Sequence, residues 1–163
     1  MENTSLQITS VQAEPIVLTK PGRYDVHLTK PGAEVQIVGF FDLAGDEQVN
    51  VEVIIHHQAP HTRANTILKG VARDQARIRF LGRIIIDVDC GDSNSFLTER
   101  ILLLSDQASA EAVPDLEIKT DDVKCSHAAS VSRIPEEQIF YLMSRGLSRS
   151  QAEELIVTGF LIQ

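Results

Sequence analysis

A mainly β chain that ends in a helical hairpin is what the sequence predicts, and three observations predict it. Apolar and polar residues alternate through short segments between residues 15 and 131, the string "LTKPG" occurs twice ten residues apart, and the apolar period becomes helical after Ile134. Strands spaced this evenly fit a sandwich, a barrel or a coiled β-solenoid. Asn-Gly and Asp-Gly turns are absent, and connections such as "HQAPHT" and "DCGDSNS" are longer than hairpins prefer, which favours the solenoid.

The elements follow in chain order. "LTKPG" at 18–22 and 28–32 places Pro before Gly, the pair suited to the centre of a type II turn, so strand, turn and strand recur about every ten residues. Tyr24, Val26 and Leu28 oppose Arg23, Asp25 and His27, and Val49, Val51, Val53 and Ile55 oppose Asn50 and Glu52. Ala76, Ile78 and Phe80 oppose Arg77 and Arg79, then Ile84, Ile86 and Val88 oppose Arg83 and Asp87. Ile101 with Leu103, Leu116 with Ile118, and Val123 with Cys125 complete roughly ten strands. Pro135 at a first helical position, Glu136 and Glu137 in the first turn, and the stripe Ile139, Phe140, Leu142, Met143 mark a helix ending before Gly146. Ser148 and Gln151 then form an S-x-x-Q capping box for a second helix that stops at Gly159.

Composition limits the function. At 163 residues the chain is long enough to bury a core without disulfide staples, and two cysteines separated by 34 residues read as free thiols of a reducing compartment, the cytoplasm. "MENTSLQITS" lacks the basic and apolar segments of a signal peptide, and no apolar run approaches the length of a membrane span. A net charge of -8 without any Lys/Arg cluster argues against a nucleic-acid partner and for a basic or neutral protein partner. No Gly-rich phosphate loop is present.

Three groups of side chains carry candidate chemistry. Cys125 and His127 in "DDVKCSHAAS" share one face if the segment is a strand, and thiolate with imidazole suits iron or zinc. Two ligands are half a site, so one chain needs a symmetry mate or partner to complete it; the other reading is that both simply pack in a core or subunit contact. His56, His57 and His61 are expected as a polar loop cluster, since Pro60 argues against a helix. Asp87, Asp89 and Asp92 surround Cys90 without a specific motif. The helices either cap the β core or present Arg145, Arg149, Glu153 and Glu154 to a partner.

The stretches "HTRANTILKGVARDQARIRFLGRI", "LLLSDQASAEAVPDLEIKTDDVKCSHAAS" and "EEQIFYLMSRGLSRSQAEELIVTGF" resemble, in order, the SufB/SufD proteins of iron-sulfur cluster assembly. The resemblance implies a right-handed parallel β-helix over residues 1–134, with the family-type core at about 51–134, and a helical hairpin over 135–163. It implies a non-enzymatic scaffold that pairs through the β-helix and docks SufC, an ATPase of the ABC type, through its helices. The pairing segment then contains Val123, Cys125, His127 and Ala129, with His127 and Cys125 the candidates for holding a metal or cluster. Phe140, Tyr141, Arg145 and Gly146 are the candidates for ATPase docking.

Where SufB types carry a glutamate and a cysteine, this chain has Ala128 and Ala108, which makes it SufD-like at its site; SufD usually has glycine where Ala128 stands. Family members are usually more than twice this length, so the chain resembles a shortened form whose solenoid end must be capped or paired. A homodimer about a two-fold axis through 121–131 would bring two Cys125 and two His127 together and hold an iron-sulfur cluster or metal ion between subunits; a longer SufB-like chain is the other partner expected. The alternative is an interaction protein of the same family that dimerises without cluster chemistry. A β-helix carbohydrate-active enzyme is a third class, since architecture alone does not specify function.

Overall fold

The computed structural model describes residues 2–162, and the alternation becomes ten strands. They are β1 (Asn3–Ile8), β2 (Ile16–Leu18), β3 (Gly22–Leu28), β4 (Glu34–Leu43) and β5 (Gln48–His57), then β6 (Arg63–Ala72), β7 (Arg77–Ile86), β8 (Ser93–Leu103), β9 (Ser109–Ile118) and β10 (Val123–Arg133). Odd strands form one five-stranded sheet and even strands another, and every paired neighbour is parallel. Each coil gives one strand to each sheet, so the fold is a parallel β-solenoid of about four turns, as expected. Helices α1 (Glu136–Ser144) and α2 (Arg149–Ile162) follow.

Register builds the core. Gly22 lies beside Val51 and Gln48 beside Arg77, each 29 residues on, while Arg63 lies beside Asn94 and Arg77 beside Ser109, 31 and 32 residues on. Side chains alternate faces with period two, so residues paired in register stack into columns down the rod. One inward column of the odd sheet is Val26, Ile55, Ile84 and Leu116. One of the even sheet is Ile37, Thr66, Leu97 and His127. Val26, Ile37, Ile55, Ile84 and Leu97 are all buried, and Phe80 fills the middle of the rod against Phe41 at a ring separation of 5.7 Å.

The structure revises several local expectations. The two "LTKPG" strings are not a ten-residue structural period; they are two corners of one coil, before β3 and before β4. The second makes the expected turn: Ala33 N–H donates to the Lys30 carbonyl at 3.1 Å and Gly32 has φ of 76°, a value only glycine takes freely. The first runs directly into β3 at Gly22. A strand at Asn3–Ile8 precedes the region where alternation is obvious, because half its residues are polar and exposed. Val88 is not on a strand; β7 ends at Ile86 and Val88 is 63% exposed in the next corner. Non-glycine corner residues His61, Asp74, Asp89 and Asp92 take φ between 50° and 59°, three of them aspartates, whose side chains tolerate the left-handed region.

Pro135 is the N-cap of α1, one position earlier than expected. The helix ends in a Schellman motif: Gly146 N–H donates to Met143 at 2.9 Å and Leu147 N–H to Leu142 at 3.4 Å, with Gly146 at φ 96°. The capping box forms, with Ser148 N–H on the Gln151 side chain at 2.8 Å and Gln151 N–H on Ser148 Oγ at 3.2 Å. Gly159 does not stop α2, which continues to Ile162 because its apolar face has a partner. Val157, with Phe160 and Leu161, packs on Val71 and Leu102 of the outer face of the even sheet. Lys69 Nζ donates to the Phe160 carbonyl at 2.7 Å, an orphan acceptor at the helix end.

Phe80 tests the stacked core. Phe80→Ala should lower unfolding free energy by about 3–5 kcal/mol, read as a drop in urea midpoint, with secondary structure retained in the folded baseline.

Candidate functional site at the open end of the solenoid

β9 and β10 are hydrogen-bonded to a neighbour on one side only, so the last coil ends the rod. Its inward columns continue the core but meet no further coil: Leu116 is 45%, Ile118 43% and Val131 42% exposed. Large apolar side chains that point along a core column yet remain half exposed mark a face built for contact.

Val123, Cys125, His127 and Ala129 occupy alternate positions of β10, in register with Ser93, Ser95, Leu97 and Glu99 of β8. Cys125 and His127 therefore share a face, as the two-residue spacing predicts. Val123 and Cys125 are partly buried and pack against Ile84, Ile86, Cys90 and Leu97, while Ala129 is exposed. Burial pushes the Cys125 thiol up, so it is a protonated, weakly nucleophilic group until a cation or base approaches. The His127 side chain is almost fully enclosed, its Nε2 3.4 Å from Oε2 of the fully buried Glu99. Room for the ring comes from Gly82 on β7, where a Cβ would fall 2.7 Å from His127 Cε1. Among the described residues no three His, Cys, Asp or Glu side chains converge as a metal-ion site, so one chain offers a partial donor set.

Glu99 and Gly82 were missed in the sequence. The available signal was a carboxyl in the apolar frame Leu97, Glu99, Ile101, Leu103 of "FLTERILLL"; the glycine gave none.

Of the other candidates, Cys90 belongs to the buried cluster that Val123 and Cys125 pack against. His56 and His57 end strand β5 instead of occupying a loop, and they face opposite ways. His56 Nε2 lies 2.7 Å from Asp87 Oδ2 and its ring 5.6 Å from that of His27. Although burial opposes it, hydrogen bonds from Lys119 and His56 hold Asp87 below the usual carboxylate range. His61 sits in the corner, 3.0 Å from Asp92. Cys90 is buried with Sγ 3.5 Å from the His57 carbonyl, and burial, then Asp87, push its thiol up.

His57 is fully buried, its Nδ1 2.7 Å from Thr62 Oγ1, which in turn meets Ser93 Oγ at 2.9 Å. Burial, with a smaller contribution from His56, pulls its pKa from 6.5 down to about 4. The unfolded chain therefore binds a proton between those values that the folded chain refuses, and stability falls as pH drops through that window. The loss should total about 3 kcal/mol between pH 6.5 and 4. Urea denaturation across that range should show a slope that His57→Gln removes.

On the helices, Phe140 is 73% and Tyr141 56% exposed, and Met143 and Leu155 are also open to solvent. Arg145 stacks on Tyr141, 5.2 Å from guanidinium to ring centre, and Gly146 turns the chain beside them.

A solenoid with this end and this hairpin can be compared with known proteins. The model of the SUF system FeS cluster assembly SufBD core domain matches residues 5–160. The chain belongs to the SufBD family. Similar curated relatives include an iron-sulfur cluster assembly SufBD family protein of Mycobacterium leprae, 30% identical over 144 residues, which are 83% of this chain and 37% of the relative. One from Mycobacterium tuberculosis is 30% identical over 137 residues, 79% of this chain and 34% of the relative. One from Staphylococcus saprophyticus is 32% identical over 105 residues, 64% and 23% respectively. The chain thus spans about a third or less of the length of these SufBD relatives. Among the described residues no helix is long and apolar enough to cross a membrane.

Proposed function

We propose that this SufBD chain is a non-enzymatic, SufD-like scaffold or accessory component of iron-sulfur cluster assembly, acting in the cytoplasm. It pairs through the open end of its solenoid with a second copy or a SufB-like chain. The observation that carries the reading is the half-exposed row Leu116, Ile118 and Val131 at a free sheet edge, with Cys125 beside it. An end of this kind buries apolar surface and satisfies edge hydrogen bonds when it meets another chain. Pairing there sets Cys125 of each subunit at the joint, with His127 behind it, and doubles the donor set offered to a nascent cluster, the cargo. The SufC-type ATPase docks on Phe140, Tyr141, Arg145 and Gly146, where exposed aromatics and a stacked arginine match the composition of binding hot spots.

A second reading, an interaction protein of the family without cluster chemistry, is favoured by one observation: each chain offers this end one partly exposed thiol, Cys90 being buried, and the resemblance matches Ala128 and Ala108 to the SufB-type glutamate and cysteine.

Solution mass tests pairing. The chain alone, or mixed with a SufB-like chain, should run at the mass of two chains, and Leu116→Asp should weaken the association by about tenfold or more, since an unpaired charge would be buried. Anaerobic reconstitution with iron and sulfide should give cluster absorbance in the paired protein that Cys125→Ser abolishes; pairing without absorbance would establish the second reading. Phe140→Ala should weaken capture of a SufC-type ATPase by roughly 30-fold, the equivalent of about 2 kcal/mol at a hot spot, without altering solution mass.

A further inference from the structure

Glu99 stands where packing calls for an apolar side chain. In its inward column it follows Leu68 of β6 and precedes Ala129 of β10. It is fully buried, and among the described residues neither carboxyl oxygen has a hydrogen-bond partner. Leucine there would avoid the desolvation of a carboxyl, so stability of the core does not account for it. The polar group nearest in the structure is His127, whose side chain is 1% exposed and whose two ring nitrogens also lack partners.

The two side chains approach each other without a made hydrogen bond. His127 Nε2 and Glu99 Oε2 are 3.4 Å apart, a few tenths of an ångström beyond a made N–H···O bond. The ring reaches across the interior to the opposing sheet, since a Cβ on Gly82 would lie 2.7 Å from His127 Cε1 and 2.7 Å from Leu97 Cδ2. Gly82 is paired with Val53 on one side and Pro114 on the other, and its missing Cβ leaves the space that the imidazole fills. One wall gives the ring its space and the other its direction.

We propose that Glu99 is the positioning residue for His127: its carboxyl accepts a hydrogen bond from Nε2–H and so fixes the tautomer, leaving Nδ1 as the unprotonated ring nitrogen, in a seat opened by Gly82. This rests on the reading of His127 as a donor to the nascent cluster. A carboxyl group on the far nitrogen is the usual means of fixing ring orientation and tautomer at metal-binding histidines. Glu99 itself touches no cargo.

The test uses the full-length chain in two measurements. In metal-free, nitrogen-15 labelled protein at alkaline pH, long-range nitrogen-proton correlation should show His127 as a single Nε2–H tautomer. Glu99→Leu should convert it to a mixture, and Glu99→Gln, which retains an accepting oxygen, should preserve it. Gly82→Ala should shift the Cε1–H resonance of His127 while leaving Glu99 in place. In the second measurement, affinity for ferrous iron should fall by about tenfold in Glu99→Leu and by much less in Glu99→Gln. An Nδ1–H tautomer in the wild type, or an unchanged spectrum in Glu99→Leu, overturns the proposal. Wild-type protein that shows the expected tautomer and its loss in Glu99→Leu, yet binds no iron, leaves the seat standing and removes the cluster reading instead. Glu99→Leu relieves a buried polar group, so its fold should be retained, and a thermal melt at or above that of the wild type checks this.

Discussion

Everything in this molecule depends on backbone pairing between one coil and the next. Parallel ladders lock residues 20 or 21 positions apart at the first coil and 29 to 32 apart beyond it, and because side chains alternate faces, register decides which of them enter the core. A one-residue slip of β8 would turn Glu99 and Ile101 outward together, and a slip of β10 would do the same to His127. Differences in coil length are absorbed at corners, where aspartates and His61 take left-handed backbone angles, and the strands themselves are spared. The site therefore owes its geometry to pairing set far away in sequence: Gly82, Glu99 and His127 come from three different strands.

The two outer faces of the rod are used differently. On the odd sheet, cross-strand ion pairs follow the columns: Arg23 with Glu52 at 3.3 Å, Arg79 with Glu111 at 2.8 Å, and Arg83 with Asp115 at 3.2 Å. Each exposed pair adds little stability, but opposite charges side by side discourage slipped registers. On the even sheet, Val71 and Leu102 are apolar and α2 covers them. The last coil has no such cover over its inward row, where Leu116, Ile118 and Val131 stay half exposed.

Much of the fold was legible because the solenoid repeats one simple signal. Val51, Val53 and Ile55, or Ile78 and Phe80, alternate with charged residues strongly enough to place strands and faces, and the Ser148–Gln151 box and Gly146 marked helix ends that the structure realises. Cys125 and His127 were legible as neighbours for the same reason. What local pattern could not supply was the partner across the ladder. "LTKPG" looked like a period because its turn chemistry repeats, although the true repeat is set by coil circumference. Val88 kept the alternation beyond the strand end, and Gly159 lay in a helix whose burial on Val71 and Leu102 outweighs its propensity. Glu99 was invisible as a site residue until His127, 28 positions later, was folded against it.

The anchoring of the hairpin has a mechanical meaning. α2 is fastened at its far end by Lys69, on the even-sheet strand two coils back from β10, and beside α1 by Arg149, which holds Glu136 at 3.0 Å. α1 buries only Ile139 and leaves the rod through the short link Ile134–Pro135. A force applied to the exposed aromatics of α1 is thus divided between the terminal strand, through that short link, and the middle of the rod, through α2.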